Sequence, residues 1–131
     1  MIIDSSAILA ILFDEAGAES LLSAIVNADF AGIGAPTAAE SGVVLTNRIG
    51  RNATGSLLRF FEETGIEIVP FTDLHWQRAI DAYARFGKGR HSAALNFGDC
   101  MTYATAALAR QPLLCRGDDF RKPISNSPDA A

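Results

Sequence analysis

The chain contains five acidic residues whose positions suit a metal-dependent reaction. Asp4 follows the apolar pair Ile2-Ile3, Glu40 and Asp99 lie near the starts of two predicted helices, and Asp118-Asp119 follows the last apolar run. Carboxylate oxygens are the protein ligands that hard cations such as Mg²⁺ prefer. A cation held in this way activates a water and stabilises the charge on a phosphodiester. The residue types therefore predict hydrolysis of a phosphate ester by metal-activated water.

Each acid also has a purely structural interpretation. Asp4 and Asn96 are residue types that cap helix N-termini, and Asp99 would then favour the positive end of the following helix. Thr37 and Glu40 have the spacing of a capping box. The pair at 118–119 is typical of a solvated turn. These alternatives explain the acids one by one but not their common location at one edge of the predicted sheet.

That edge follows from the order of the predicted elements. Short apolar strands alternate with helices, which predicts an α/β fold with a parallel sheet and helices on both faces. Pro36 is interpreted as a breaker before a helix over 37–49, and Phe97 as part of the apolar stripe of a helix over 97–109. Ligands of such sheets bind at the carboxyl ends of the strands. Strands are predicted at 1–4, 30–35, 66–71 and 112–115, and the other helices at 5–13, 18–26, 53–64 and 72–86. The helix over 72–86 is predicted to bury an apolar stripe of Trp76, Ala79, Ile80 and Tyr83.

Basic residues form a second candidate feature. The formal net charge of −4 argues mildly against nucleic-acid binding, but Arg85, Lys88, Arg90 and His91 lie within seven residues of one another. These residues, with Arg116, could grip RNA phosphates beside a metal. The alternative is a solvated loop that contributes only to solubility.

The remaining composition indicates an ordinary globular protein. A length of 131 residues, of which 49% are hydrophobic, predicts one domain over 1–131 with a frayed tail at 125–131. The start lacks a basic signal-peptide region, and no apolar run could span a bilayer, so we expect a cytoplasmic protein without a membrane segment. Cys100 and Cys115 lie in apolar stretches and are predicted to be reduced core residues.

Five segments resemble the PIN-domain family, in particular its VapC-type ribonuclease toxins of toxin–antitoxin pairs. They are spread over nearly the whole length of the chain, in the family's order. They are Met-Ile-Ile-Asp4-Ser-Ser-Ala, Ala35-Pro-Thr-Ala-Ala-Glu40, Tyr83-Ala-Arg-Phe-Gly-Lys-Gly-Arg-His91, Leu95-Asn-Phe-Gly-Asp99-Cys and Pro112-Leu-Leu-Cys-Arg-Gly-Asp118-Asp-Phe120.

The resemblance implies a three-layer α/β/α sandwich and RNA cleavage that depends on Mg²⁺ or Mn²⁺. Asp4, Glu40 and Asp99 match the family's acidic positions. Many members carry Thr-x-Asp after the last strand, and the run here favours Asp118 as the fourth acid, with Asp119 as the alternative. Ser6 would supply a hydroxyl that supports the site.

The family also implies a homodimer and a cognate VapB-type antitoxin. The other hypothesis is a catalytically inactive PIN-like module that binds RNA or protein. A haloacid-dehalogenase-type phosphatase is disfavoured because it would need a second Asp where this chain has Ser6.

Overall fold

Four short parallel strands form the centre of the computed structural model, which describes residues 1–117. In chain order they are β1 (Ile2–Ile3), β2 (Gly32–Gly34), β3 (Glu67–Val69) and β4 (Leu113–Leu114). Across the sheet the order is β3-β2-β1-β4, and all three pairings are parallel. The chain builds outward from β1 to β3 and then adds β4 on the other side of β1. The carboxyl end of β1 therefore lies at the switch point where such sheets bind ligands.

Six helices cover the described part of this sheet, and the predicted three-layer α/β/α fold is confirmed. One buried apolar cluster joins β1 and β2 to the helices that follow them, and a second joins the last two helices. None of the helices within residues 1–117 is long and apolar enough to cross a membrane. The helices are α1 (Ser5–Leu12), α2 (Ala18–Val26), α3 (Ala35–Ile49), α4 (Thr54–Thr64), α5 (Asp73–Phe86) and α6 (Phe97–Ala109).

The start of α3 differs from the prediction. The helix begins at Ala35, so Pro36 lies in its first turn instead of ending the preceding segment. Proline is tolerated there because the first N–H groups of a helix have no intrahelical partner. Thr37 is therefore inside the helix and buried, and the predicted capping box of Thr37 and Glu40 is wrong.

The apolar stripe predicted for α5 is also largely wrong. Of its members only Ala79 is buried, and the helix packs through Ala82 and Phe86 instead. Phe97 in α6 is 79% exposed, not part of a core stripe. The small side chains of its alanines let α5 lie close to α6. The larger apolar residues of α5 face outward. The exposed members of the predicted stripe are Trp76, Ile80 and Tyr83.

Two further predictions concern the cysteines and the domain boundaries. Neither cysteine forms a disulfide within residues 1–117; Cys100 is buried and Cys115 is half-buried. The single domain over 1–131 stays a prediction, and the expected tail at 125–131 lies outside the described residues.

Replacement of a central strand residue should measure how much the sheet contributes to stability. Ile33 lies in β2 and is fully buried, so Ile33→Ala should lower the free energy of unfolding by about 2–5 kcal/mol. Ile80→Ala is the matched control, because Ile80 is 61% exposed, and it should change that energy by about 0.5 kcal/mol or less. Urea denaturation checks both values, and equal effects of the two substitutions would contradict this description of the core.

Candidate active site

Asp4 is a buried acid at the carboxyl end of β1. Its side chain is only 5% exposed, and each carboxylate oxygen accepts one hydrogen bond. Oδ2 accepts from the backbone N–H of Ser6 at 3.1 Å, and Oδ1 accepts from the hydroxyl of Thr102 at 3.0 Å. The predicted capping role is thus confirmed, since Asp4 is the N-cap of α1. A carboxylate has about four acceptor sites, so two bonds leave capacity for a further ligand.

Two buried threonines stand behind Asp4. The hydroxyl oxygens of Thr37 in α3 and Thr102 in α6 lie 3.0 Å apart, and both residues are essentially inaccessible to solvent. Sequence reasoning missed both. The contact of Thr102 with Asp4 joins residues 98 positions apart, and no local spacing signals it.

Glu40 lies close enough to Asp4 for the charges of the two carboxylates to interact. It is exposed on α3, yet desolvation of its carboxylate raises its pKa, and the negative charge of Asp4 raises the pKa further. A hydrogen bond with the side chain of Ser5 acts in the opposite direction. Because Glu40 is exposed and does not form the predicted capping box with Thr37, its carboxylate is accessible to a ligand. Ser5 is a supporting residue that the sequence analysis did not identify.

The first turn of α6 lies against the side chain of Glu40. A Cβ atom built on Gly98 would lie 2.9 Å from both carboxylate oxygens of Glu40, so a larger residue here would require that side chain to shift. Asp99 follows directly, three positions before Thr102, and residues at this spacing are neighbours on a helix surface.

The alternative role of Asp99 is confirmed as well. Its Oδ2 accepts from the backbone N–H of Asn96 at 2.9 Å, and its own N–H donates to Asn96 Oδ1 at 2.8 Å. This reciprocal pair is a capping box, so the carboxylate of Asp99 stabilises the start of α6.

The described acids do not form a metal site by themselves. Among residues 1–117, no three His, Cys, Asp or Glu side chains form a group that could hold a metal ion. Asp4 and Glu40 approach each other, whereas Asp99 is turned to its cap. Asp118 and Asp119 lie outside the described residues. The four-acid site therefore stays a prediction, although its oxygen donors are of the kind that Mg²⁺ takes.

The hydroxyl of Ser6 contacts the segment that follows β4. Its hydroxyl accepts the backbone N–H of Arg116 at 2.9 Å and so ties the segment after β4 to the start of α1. The guanidinium of Arg116 donates to Glu15 at 2.5 Å, an exposed ion pair.

The predicted basic segment follows α5. Lys88 and Arg90 are exposed, and the guanidinium of Arg90 lies 5.9 Å from the centre of the Tyr83 ring. His91 Nδ1 accepts the N–H of Ala93 at 2.9 Å, and its ring packs edge-on against Phe86. The two cations are accessible to a phosphate chain, while His91 helps to hold the loop. Their role in RNA binding stays a prediction.

Comparison with known proteins gives consistent matches over most of the chain. The family model described as PIN domain matches residues 1–123. The chain is 46% identical over 121 residues to "VapC ribonuclease Mb2004c" of Mycobacterium bovis, covering 92% of this chain and 87% of that protein. It is 42% identical to "Ribonuclease VapC28" of Mycobacterium tuberculosis and 37% identical to "Ribonuclease VapC" of Mycolicibacterium smegmatis. In both cases 92% of this chain is covered, with 91% and 94% of the respective relatives.

The raised pKa of Glu40 should make the fold's stability depend on pH. With a folded pKa above its usual value of 4.5, Glu40 binds a proton more readily in the folded state than in the unfolded one, so its ionisation destabilises the fold as pH rises. We expect metal-free Glu40→Gln protein to be more stable than the unchanged protein at neutral pH. This advantage should shrink as pH falls towards 4.5.

Urea denaturation across this pH range, with a chelator present, measures the effect. Glu63→Gln is the control, since Glu63 is an exposed glutamate of α4. A Glu40→Gln variant that is less stable at neutral pH, or that follows the control at every pH, would show that Glu40 is not disfavoured in its charged form.

Proposed function

Since this chain belongs to the PIN-domain family, we propose that it is a metal-dependent endoribonuclease, the toxin of a VapBC-type toxin–antitoxin pair. The observation that carries this proposal is the approach of Glu40 to the buried carboxylate of Asp4 at the carboxyl end of β1. The names of the similar mycobacterial proteins, which call them ribonucleases, support the choice of RNA as substrate.

The acids share one role in this proposal, which is to bind the metal ion. Asp4, Glu40, Asp99 and Asp118 would hold Mg²⁺ or Mn²⁺, with Asp119 as the alternative fourth acid. When bound, the cation activates water and stabilises the charge that develops on the scissile phosphate. Asp4 supports this role because it is held at both oxygens and still has free acceptor capacity.

The electrostatics of the acids support a cation. Two carboxylates at close range disfavour each other's ionisation, and the raised pKa of Glu40 reflects this repulsion in addition to desolvation. A divalent cation removes the conflict and lets both groups remain charged. Exposed Lys88 and Arg90 would contact the RNA backbone, with weaker contributions from His91 and Arg116.

The competing function is a PIN-like module that binds RNA or protein without cleaving it. The capping role of Asp99 is the observation that favours it, because this carboxylate is already engaged at Asn96. Calorimetric titration with Mg²⁺ separates the two. A catalytic domain should bind the ion, and an inactive module should show negligible heat.

Partners form a further part of the proposal. We expect a VapB-type antitoxin, a homodimer and a cytoplasmic location. Trp76, Ile80, Tyr83 and Phe97 line one apolar depression of about 530 Å³ while remaining exposed, and such patches are uncommon on monomers. Light scattering with and without the product of an adjacent antitoxin-like reading frame tests whether this face binds a second copy or the antitoxin.

Asp99→Asn tests catalysis without removing the cap. Asparagine keeps an oxygen that can accept the N–H of Asn96, so the start of α6 should survive, whereas a metal ligand is lost. We expect the rate of Mg²⁺-dependent RNA cleavage to fall by about a hundredfold or more, since even residues behind metal ligands contribute about 10–100-fold. Asp73→Asn, in the first turn of α5, is the matched control. Full activity of Asp99→Asn protein with unchanged melting would refute the catalytic role.

The fourth acid can be assigned by comparing Asp118→Asn with Asp119→Asn. We expect the first substitution to reduce cleavage by about a hundredfold and the second to leave it nearly unchanged, because a direct ligand should contribute at least as much as its supporting residues. Cleavage of labelled RNA under single-turnover conditions measures both. The opposite pattern would identify Asp119, and two fully active variants would exclude a fourth carboxylate from this segment.

A further inference from the structure

We infer that Thr102, oriented by Thr37, is a positioning residue that fixes the carboxylate of Asp4 for metal binding. The inference rests on the proposed function and assigns its site two residues outside the acidic set. The supporting geometry is the contact of the Thr102 hydroxyl with Asp4 Oδ1 at 3.0 Å and with the Thr37 hydroxyl at 3.0 Å.

The number of protons sets the direction of this hydrogen-bond chain. The Thr102 hydroxyl has one proton and three acceptors in reach: Asp4 Oδ1 at 3.0 Å, the hydroxyl oxygen of Thr37 at 3.0 Å and the carbonyl oxygen of Gly98 at 3.4 Å. The ionised carboxylate is the strongest acceptor of the three, so the proton goes to Asp4. Thr102 must then accept from Thr37, and the chain runs from Thr37 through Thr102 to Asp4.

Thr37 therefore acts on Asp4 indirectly, through its hydrogen bond with Thr102. With its proton directed at Thr102, it occupies the acceptor side of that oxygen and leaves the proton of Thr102 for Asp4. Without Thr37, the Thr102 hydroxyl could donate its proton to the carbonyl oxygen of Gly98 instead of Asp4. Threonines within helices commonly donate to a backbone carbonyl in this way.

Burial strengthens the hydrogen bonds that link Thr37, Thr102 and Asp4. Thr37 and Thr102 are inaccessible to solvent and Asp4 is almost so, so water does not compete for these bonds. The backbone N–H of Ser6 holds the other oxygen of Asp4. The carboxylate is therefore fixed at both ends, which presents its remaining lone pairs in one orientation. Such outer partners of metal ligands typically contribute 10–100-fold to metal affinity or activity.

Thr105 offers a matched control one turn further along α6. It is a fully buried threonine too, but its hydroxyl donates to the carbonyl oxygen of Met101 at 2.9 Å and not to an acid. Thr102→Val and Thr105→Val thus remove the same atom from the same helix, and they differ in whether that atom holds Asp4. Thr102→Ser keeps the hydroxyl and tests for rescue.

The experiment measures Mg²⁺ affinity by calorimetry, together with kcat and KM for RNA cleavage and the melting temperature. We expect Thr102→Val to weaken metal affinity by about 10–100-fold and to lower kcat more than it raises KM. Thr102→Ser and Thr105→Val should bind metal like the unchanged protein. Thr37→Val should cause a smaller loss, and the double Thr37→Val/Thr102→Val variant should be no worse than Thr102→Val alone, because both residues act through one bond.

The outcomes separate the inference from the function on which it rests. Equal metal affinity in Thr102→Val and Thr105→Val protein overturns the inference while the ribonuclease proposal stands. Independent, additive losses from Thr37→Val and Thr102→Val overturn the directed chain. An unchanged protein that neither binds metal nor cleaves RNA overturns both proposals. If Thr102→Val fails to fold, Thr37→Val decides the question, because metal affinity equal to that of Thr105→Val protein would overturn the inference.

Discussion

The structure depends on how a carboxylate is kept inside the protein at the end of its central strand. A buried charge is expensive unless hydrogen-bonding partners replace the water it has lost. Asp4 finds one partner in the backbone of α1 and another in α6, and the latter is backed by α3. Three helices must therefore meet above the end of β1. The buried acid thus determines which helices surround the site.

Two glycines allow the helices to come this close. A Cβ atom on Gly34, at the end of β2, would lie 2.7 Å from the hydroxyl of Thr105, so α6 packs directly over this point of the sheet. At the first turn of α6, Gly98 leaves space for the carboxylate of Glu40. The same close packing that holds Thr102 against Asp4 therefore also brings the first turn of α6 to Glu40. Fold and site share one set of contacts.

The sequence predicts what is encoded locally. The bounds of α2 and α6 agree with the prediction because apolar periodicity and glycine or asparagine flanks mark them clearly. The bounds of α3 were missed because proline was taken as a breaker, although the first helical turn accepts it. Edge geometry predicted that Asp4 and Glu40 would share one region. The supporting hydroxyls of Ser5 and Thr102 depend on packing between distant segments, which no pattern in a single chain displays.

The hydrogen-bond chain through Thr37 and Thr102 has a consequence for a variant in which Asp4 is neutralised. In Asp4→Asn protein the amide oxygen would still accept the N–H of Ser6, and the amide nitrogen would face Thr102. A hydroxyl can accept as well as donate, so Thr102 would reverse its role and donate towards Thr37. The buried hydrogen bonds can thus accommodate the loss of charge by reversing their donor and acceptor roles. Neutralising Asp4 is therefore a route to a well-folded protein that lacks this buried charge.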